Sequence, residues 1–321
     1  MPASVPARPP LDACAGLGQR DLLSIRDLTR DELLALLALA ADVRKQPAAY
    51  AQVLAGKTLA TIFEKPSLRT RVSFHVAAHH LGAHAIDLGA KEIGLHGRES
   101  LEDVARTLDH LVDGLVIRTS AHDLVERLAA LAAIPVINGL TDFSHPCQAL
   151  ADFLTMHDVK KRWTGLRLAF VGDANNVANS LIFGAALLGV RMAVASPPGY
   201  EPRPDILRWA KQHEMIEGTA CRVVRSPEEA VDEADVVYTD TWISMGQEAE
   251  ADERRRAFAG FQVTEALQER AAPDAIFMHC LPAHRGEEVA AQVIDSARSV
   301  VFTQVANRLY TEKALLLALL G

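Results

Sequence analysis

From Lys57 onward, short apolar runs alternate with longer segments of helical period. That alternation restricts the chain to βαβ units built around a parallel sheet. In the first half, strands are expected over 59–63, 85–88, 115–117 and 135–137. Helices are expected over 72–81, 101–111 and 124–132, and upstream over 30–44, where Thr29 stands as N-cap. After the basic stretch Lys160-Lys161-Arg162 the pattern resumes, with strands expected over 168–171, 192–195, 222–224, 236–238, 275–278 and 300–302. A helix over 149–157 connects the halves. Since 321 residues exceed the usual single core, two domains of about 150 residues each are the expectation. The fold class is therefore α/β, two doubly wound parallel-sheet domains joined by long helices.

Composition removes several classes of function. A net charge of −8 argues against a nucleic-acid surface, which needs a basic face. The longest apolar runs fall far short of a membrane span. Cys14, Cys147, Cys221 and Cys280 lie far apart without paired spacing, which suggests a reducing compartment, hence the cytoplasm, rather than a disulfide framework or a structural zinc. Residues 1–17 are rich in Pro and Ala but lack a basic segment followed by an apolar one, so they read as a frayed extension.

Ligands of open parallel sheets bind beyond the carboxyl ends of the strands. After the first expected strand comes Ser67-Leu68-Arg69-Thr70-Arg71, which opens a helix. Unpaired N–H groups and the positive dipole end favour an anion there, and two guanidiniums strengthen the case. After the third comes Arg118-Thr119, and after the fourth Asn138, then His145-Pro146-Cys147-Gln148 opening the connecting helix. Arg69, Arg71 and Arg118 can clamp a phosphate with forked hydrogen bonds, and His145 and Gln148 share a helical face. A lone strand-end Arg more often snorkels at a surface, and a His before Pro is an ordinary helix opening. Recurrence at successive strand ends shifts the balance towards an anion site.

In the second half, Gly172-Asp173-Ala174-Asn175-Asn176 lacks the three glycines of a dinucleotide fingerprint, and no acidic residue follows the next strand. A nicotinamide cofactor is not expected. Asp240 to Gly246 supplies a carboxylate for a substrate ammonium, with Ser244 and backbone N–H groups for a substrate carboxylate. Turns of this composition are common without any ligand. His279-Cys280-Leu281-Pro282 follows the strand over 275–278. His145 with Cys147, or His279 and Cys280 with His284, have no standard zinc spacing. His75 and His79, without the Glu of a metalloprotease helix, read as a solvated face.

Four motifs in this order, Ser67 to Arg71, His145 to Gln148, Asp240 to Gly246 and His279 to Pro282, resemble those of the ornithine carbamoyltransferases, within the aspartate/ornithine carbamoyltransferase superfamily. Leu68 replaces the Thr that is commonest in the first motif, removing a hydroxyl but not a backbone N–H. After a flexible extension over 1–20, the resemblance implies a carbamoyl-phosphate domain over 21–150, an ornithine domain over 151–303 and a C-terminal helix over 304–321 returning to the first domain. It implies carbamoyl phosphate held by Ser67, Leu68, Arg69, Thr70, Arg118, His145, Gln148, Cys280, Leu281 and Arg308, and ornithine by Asn176, Asp240, Ser244 and Met245. Arg118, His145 and Cys280 would be catalytic, with no metal and no organic cofactor. A homotrimer or a multiple of trimers is implied too, with the loop over 89–100 reaching a neighbouring subunit, where this chain offers Glu92 and His96 instead of the usual Gln. The implied reaction makes L-citrulline and phosphate, in arginine biosynthesis. Alternatives are an N-acetyl- or N-succinylornithine carbamoyltransferase and a non-catalytic ligand-binding relative.

Overall fold

The computed structural model describes residues 9–90, 93, 97, 99–218, 221–244 and 246–321. The chain divides into two units, Met1–Leu154 with Asn307–Gly321, and Thr155–Ala306. Helix Pro146–Lys160 runs from the first unit into the second, and helix Val301–Leu320 runs back.

The first unit holds β1 (Thr58–Phe63), β2 (His84–Leu88), β3 (Gly114–Arg118) and β4 (Val136–Leu140), all parallel, in the order β2-β1-β3-β4. The winding reverses between β1 and β3, which opens a crevice at their carboxyl ends, where Phe63 pairs with Arg118. One face is covered by helices Leu101–Leu111 and His122–Leu131. Leu101, Val104, Ala105 and Leu108 recur at the spacing of one helical face, and they bury with Val125 and Leu128 against Ile62, Leu115, Ile117 and Val136. Each such Leu or Val contributes about 1.5–3 kcal/mol. Ser100 caps the first of these helices by accepting from the Asp103 N–H at 3.1 Å. Strand β2 differs from its neighbours in being largely exposed.

The second unit holds β5 (Arg167–Val171), β6 (Arg191–Ala195), β7 (Arg222–Val224), β8 (Val236–Thr239) and β9 (Ile276–His279), again all parallel, in the order β7-β6-β5-β8-β9. Its winding reverses between β5 and β8, and Val171 pairs with Thr239 at that point. Helix Asn176–Leu188 is buried nearly throughout, as a helix apolar on all sides must be. Gly189 ends it in the left-handed conformation with φ 70°, and a Cβ there would meet Met215 Cε at 2.6 Å.

Four expectations are corrected. The strand expected over 300–302 is the opening of helix Val301–Leu320. Only a single bridge, Phe277 with Ser299, extends the sheet there, because the chain turns into a helix one residue after the Val300 N–H reaches the Phe277 carbonyl. The extension over 1–20 packs through Cys14 and Leu17, which are buried, and through the Gln19 N–H, which donates to the Leu319 carbonyl at 3.1 Å. Residues 1–8 lie outside the described residues. The helix expected over 72–81 begins earlier, at Arg69, and the one expected over 149–157 spans Pro146–Lys160, with Pro146 at its first position.

Candidate active site

In the first unit, Leu68 stands at the N-cap of helix Arg69–His80, and no side chain caps that end. Its first-turn N–H groups face the loop without the usual Ser, Thr or Asp acceptor, which suits an external anion. Leu68 is 74% exposed. Ser67 and Arg69 are half-buried beside it, and Thr70 is buried.

A buried hydrogen-bond cluster then links Thr70 to the connecting and C-terminal helices. Arg308, 1% exposed, donates from Nη2 to Thr70 Oγ1 at 2.7 Å and from Nη1 to Gln148 Oε1 at 2.8 Å. From Nε and Nη2 it donates to Glu312 Oε1 at 3.0 and 2.7 Å. Gln148 Nε2 donates to Asp152 Oδ1 at 2.8 Å. A guanidinium only donates and a carboxylate only accepts, so the Gln148 amide has one permitted orientation. Thr70, having accepted from Arg308, keeps its own hydroxyl hydrogen to donate.

Arg118 ends β3 and is buried, as is His145. The His145 pKa lies well below 6.5, first because burial disfavours the imidazolium, then because Arg308, Arg118 and Arg69 are close cations. The charges of those three guanidiniums therefore act on one neutral ring. A neutral imidazole in a cationic surround can donate a hydrogen bond to a carbonyl oxygen without becoming an acid.

Other polar candidates of this unit serve the fold. Arg71 donates from Nη1 to Asp87 Oδ2 at 2.9 Å and stacks over Phe63 with 4.8 Å to the ring centroid, which ties its guanidinium to β2. Asn138 donates to the Leu23 carbonyl at 2.8 Å, and the Thr119 hydroxyl bonds to Glu64. His75, expected on a solvated face, is half-buried and meets Thr61 Oγ1 at 3.0 Å, whereas His79 is exposed.

In the second unit, Asp240 follows β8 and is buried. Its Oδ1 accepts from the Thr241 N–H at 2.8 Å and from Cys280 Sγ at 2.9 Å, and its Oδ2 accepts from Asn175 Nδ2 at 2.7 Å. Asn175 also caps helix Asn176–Leu188 by accepting from the N–H groups of Val177 and Ala178. The resemblance names Asn176, and the bond to Asp240 comes from this neighbour. Its position as a polar residue before an apolar helical run was the available signal. Ser244 N–H donates to Gln247 Oε1 at 3.0 Å, while Met245 lies outside the described residues, as do Glu92 and His96.

Cys280 and Leu281 follow β9. Leu281 has φ 58°, a left-handed conformation that costs a non-glycine residue on the order of 1–3 kcal/mol. It is held by its N–H, which donates to His279 Nδ1 at 2.8 Å. Since Nδ1 accepts, Nε2 carries the ring proton and donates to Glu288 Oε1 at 3.2 Å. Burial pushes the Glu288 pKa up, but the hydrogen bonds from His279 and the His284 N–H outweigh it and hold the carboxyl below its usual range. Asp240, His279 and Cys280 bring three potential ligand atoms within 4.8 Å, as do His284, Glu287 and Glu288. In the first group a metal would have to displace the bonds just described.

Two parallel α/β units, one with a basic anion site and one with a carboxylate and a thiol, each at a reversal of the winding, define a two-substrate enzyme of the group-transfer kind. The carbamoyl-P binding domain of the aspartate/ornithine carbamoyltransferases matches residues 20–158, and their Asp/Orn binding domain matches 164–319. The chain belongs to the aspartate/ornithine carbamoyltransferase family. It is 51% identical to the ornithine carbamoyltransferase of Anoxybacillus flavithermus over 97% of this chain and 99% of that one. It is 50% identical to that of Thermococcus kodakarensis, over 95% and 98%. The solved structure of the Pyrococcus furiosus ornithine carbamoyltransferase superposes with a TM-score of 0.91 at 49% identity, over 95% of this chain and 98% of that one.

Proposed function

We propose that the chain transfers the carbamoyl group of carbamoyl phosphate to the side-chain amine of L-ornithine, giving L-citrulline and phosphate. The observation that carries this reading is the Asp240–Cys280 pair at 2.9 Å, fixed further by Asn175 and the Thr241 N–H. A carboxylate so held suits an α-ammonium group, and a bare phosphate-binding protein has no use for it.

In this reading the N–H groups at Arg69 and Thr70, with Ser67, Leu68, Arg69 and Arg118, hold the phosphate. Thr70, Arg118 and neutral His145 donate to the carbonyl oxygen, where charge builds in the tetrahedral intermediate. Gln148 and Arg308 complete the carbamoyl subsite, and Cys280 and Leu281 keep the contact with it that the resemblance implies. Asn176, Ser244 and Met245 take the α-carboxylate of ornithine, and Asp240 takes the α-amine. The amine nitrogen forms a bond to the carbonyl carbon, the carbon–oxygen bond to phosphate breaks, and the nitrogen gives up a proton. Reaching the neutral amine at pH 7.4 costs about 4 kcal/mol from a reference pKa of about 10.4, a cost that desolvation and nearby cations reduce.

We place the reaction in arginine biosynthesis, with support from a Pyrococcus furiosus relative, 49% identical over 95% of this chain, whose name specifies an anabolic enzyme. The cytoplasm is the proposed location, in keeping with four free cysteines. Among the described residues no helix is long and apolar enough to cross a membrane. A homotrimer, or a multiple of it, is supported by exposed Leu68 and Val72, at the N-cap and in the first turn of one helix, and by exposed Ile86 on β2.

A citrulline assay with carbamoyl phosphate tests the reading, offering ornithine, N-acetylornithine, N-succinylornithine, putrescine and aspartate in turn. Turnover with ornithine alone is expected. Preference for an acylated substrate would move the assignment to that class, and no turnover with any of them would favour a binding protein.

A further inference from the structure

Glu312 is a fully buried carboxylate on helix Val301–Leu320, and the proposed reaction gives it no part. Among the described residues its Oε2 has no hydrogen-bond donor, and the Ser73 hydroxyl beside it is committed to the Arg69 carbonyl at 2.6 Å. Burying a carboxylate is costly unless it is paired, and here the cation is Arg308. The groups facing it are Arg308 on its own helix, Ser73 on helix Arg69–His80 and Cys147 on helix Pro146–Lys160, so among the described residues one guanidinium carries its charge compensation.

The geometry of that pair has a consequence for the substrate. Glu312 Oε1 takes both the Nε and one Nη2 hydrogen of Arg308, which fixes the plane of the guanidinium. With the plane fixed, Nη1 points to Gln148 Oε1 and the second Nη2 hydrogen to Thr70 Oγ1. We infer that Glu312 is a positioning residue for carbamoyl phosphate: it locks Arg308 so that the Thr70 hydroxyl and the Gln148 amide present one fixed set of donors to the substrate. This rests on the site assignment of the proposed function. Burial pushes the Glu312 pKa up to about 7, against the lowering effect of Arg308.

The test is steady-state kinetics of Glu312→Asp, Glu312→Ala and Glu312→Gln beside Arg308→Lys, each with both substrates varied. Shortening by one methylene in Glu312→Asp keeps the charge but retracts the fork. In Glu312→Asp and Glu312→Ala the KM for carbamoyl phosphate should rise about tenfold or more, the effect of losing a charge-assisted hydrogen bond, while the KM for ornithine stays within about twofold. Glu312→Gln keeps an acceptor at the same place and should recover most of the loss. A change confined to the yield of folded enzyme, with both KM values intact in Glu312→Asp and Glu312→Gln, would overturn the inference. If Arg308→Lys raises the KM for carbamoyl phosphate and the Glu312 variants do not, the site assignment stands and the role of Glu312 falls. If Arg308→Lys leaves it unchanged as well, the assignment of Arg308 itself is wrong.

Discussion

His145 shows how a residue's role follows from its surroundings. Buried among Arg308, Arg118 and Arg69, its imidazole stays neutral well below the ordinary histidine value of 6.5. Nuclear magnetic resonance of labelled histidine should show no titration of this ring between pH 8 and 6. Because the folded pKa is depressed, the unfolded chain binds more protons below about 6.5, so His145 subtracts stability as pH falls. Urea unfolding of His145→Asn should accordingly lose less stability than the parent between pH 7 and 5. Arg118→Lys keeps the charge but not the fork, and citrulline formation should drop about a hundredfold or more. Near-normal turnover would remove Arg118 from the mechanism. The residues of these strand ends were legible because polar groups recur after successive apolar runs. Glu312 was not, since Arg308 and Glu312 four apart on a helix look like any exposed ion pair, and only the packing of three helices buries them. The partner of Arg71 was hidden for the converse reason: Asp87 lies on a strand adjacent in space but not in sequence.

At the scale of elements, the apolar runs located the nine strands among the described residues, most clearly where parallel strands buried on both faces leave continuous Val, Ile and Leu. The run over 300–302 was indistinguishable from these. It pairs through one bridge and then turns helical, and a three-residue apolar run carries no period that separates the two outcomes. Helix ends were clearest where a capping residue stood in the sequence, as with Thr29 and Glu32, whose reciprocal bonds are 3.2 and 2.8 Å. The helix at Arg69 has no such residue, so its start was set too late. Gly189 gives a test of the packing behind the second sheet. Gly189→Ala forces a side chain into a left-handed position against Met215 and should cost about 1 kcal/mol or more in urea unfolding, with the KM values unchanged.

At the scale of the whole chain, two parallel sheets of the same class carry different chemistries at corresponding places, the crevice where the winding reverses. The first places guanidiniums and uncapped helix N–H groups there, and the second a carboxylate, a thiol and an asparagine. Analytical ultracentrifugation should give three times the 34.8 kDa chain mass, or a multiple of that, and charged replacements at Leu68 and Val72 should shift the distribution towards monomer. The division of labour is the central claim, and the kinetics of Asp240→Asn probe it most directly. This change keeps the shape of the side chain but removes the charge that the proposed function assigns to the α-ammonium group. The KM for ornithine should rise about tenfold or more, with the KM for carbamoyl phosphate within about twofold of the parent. An equal rise in both would contradict the account.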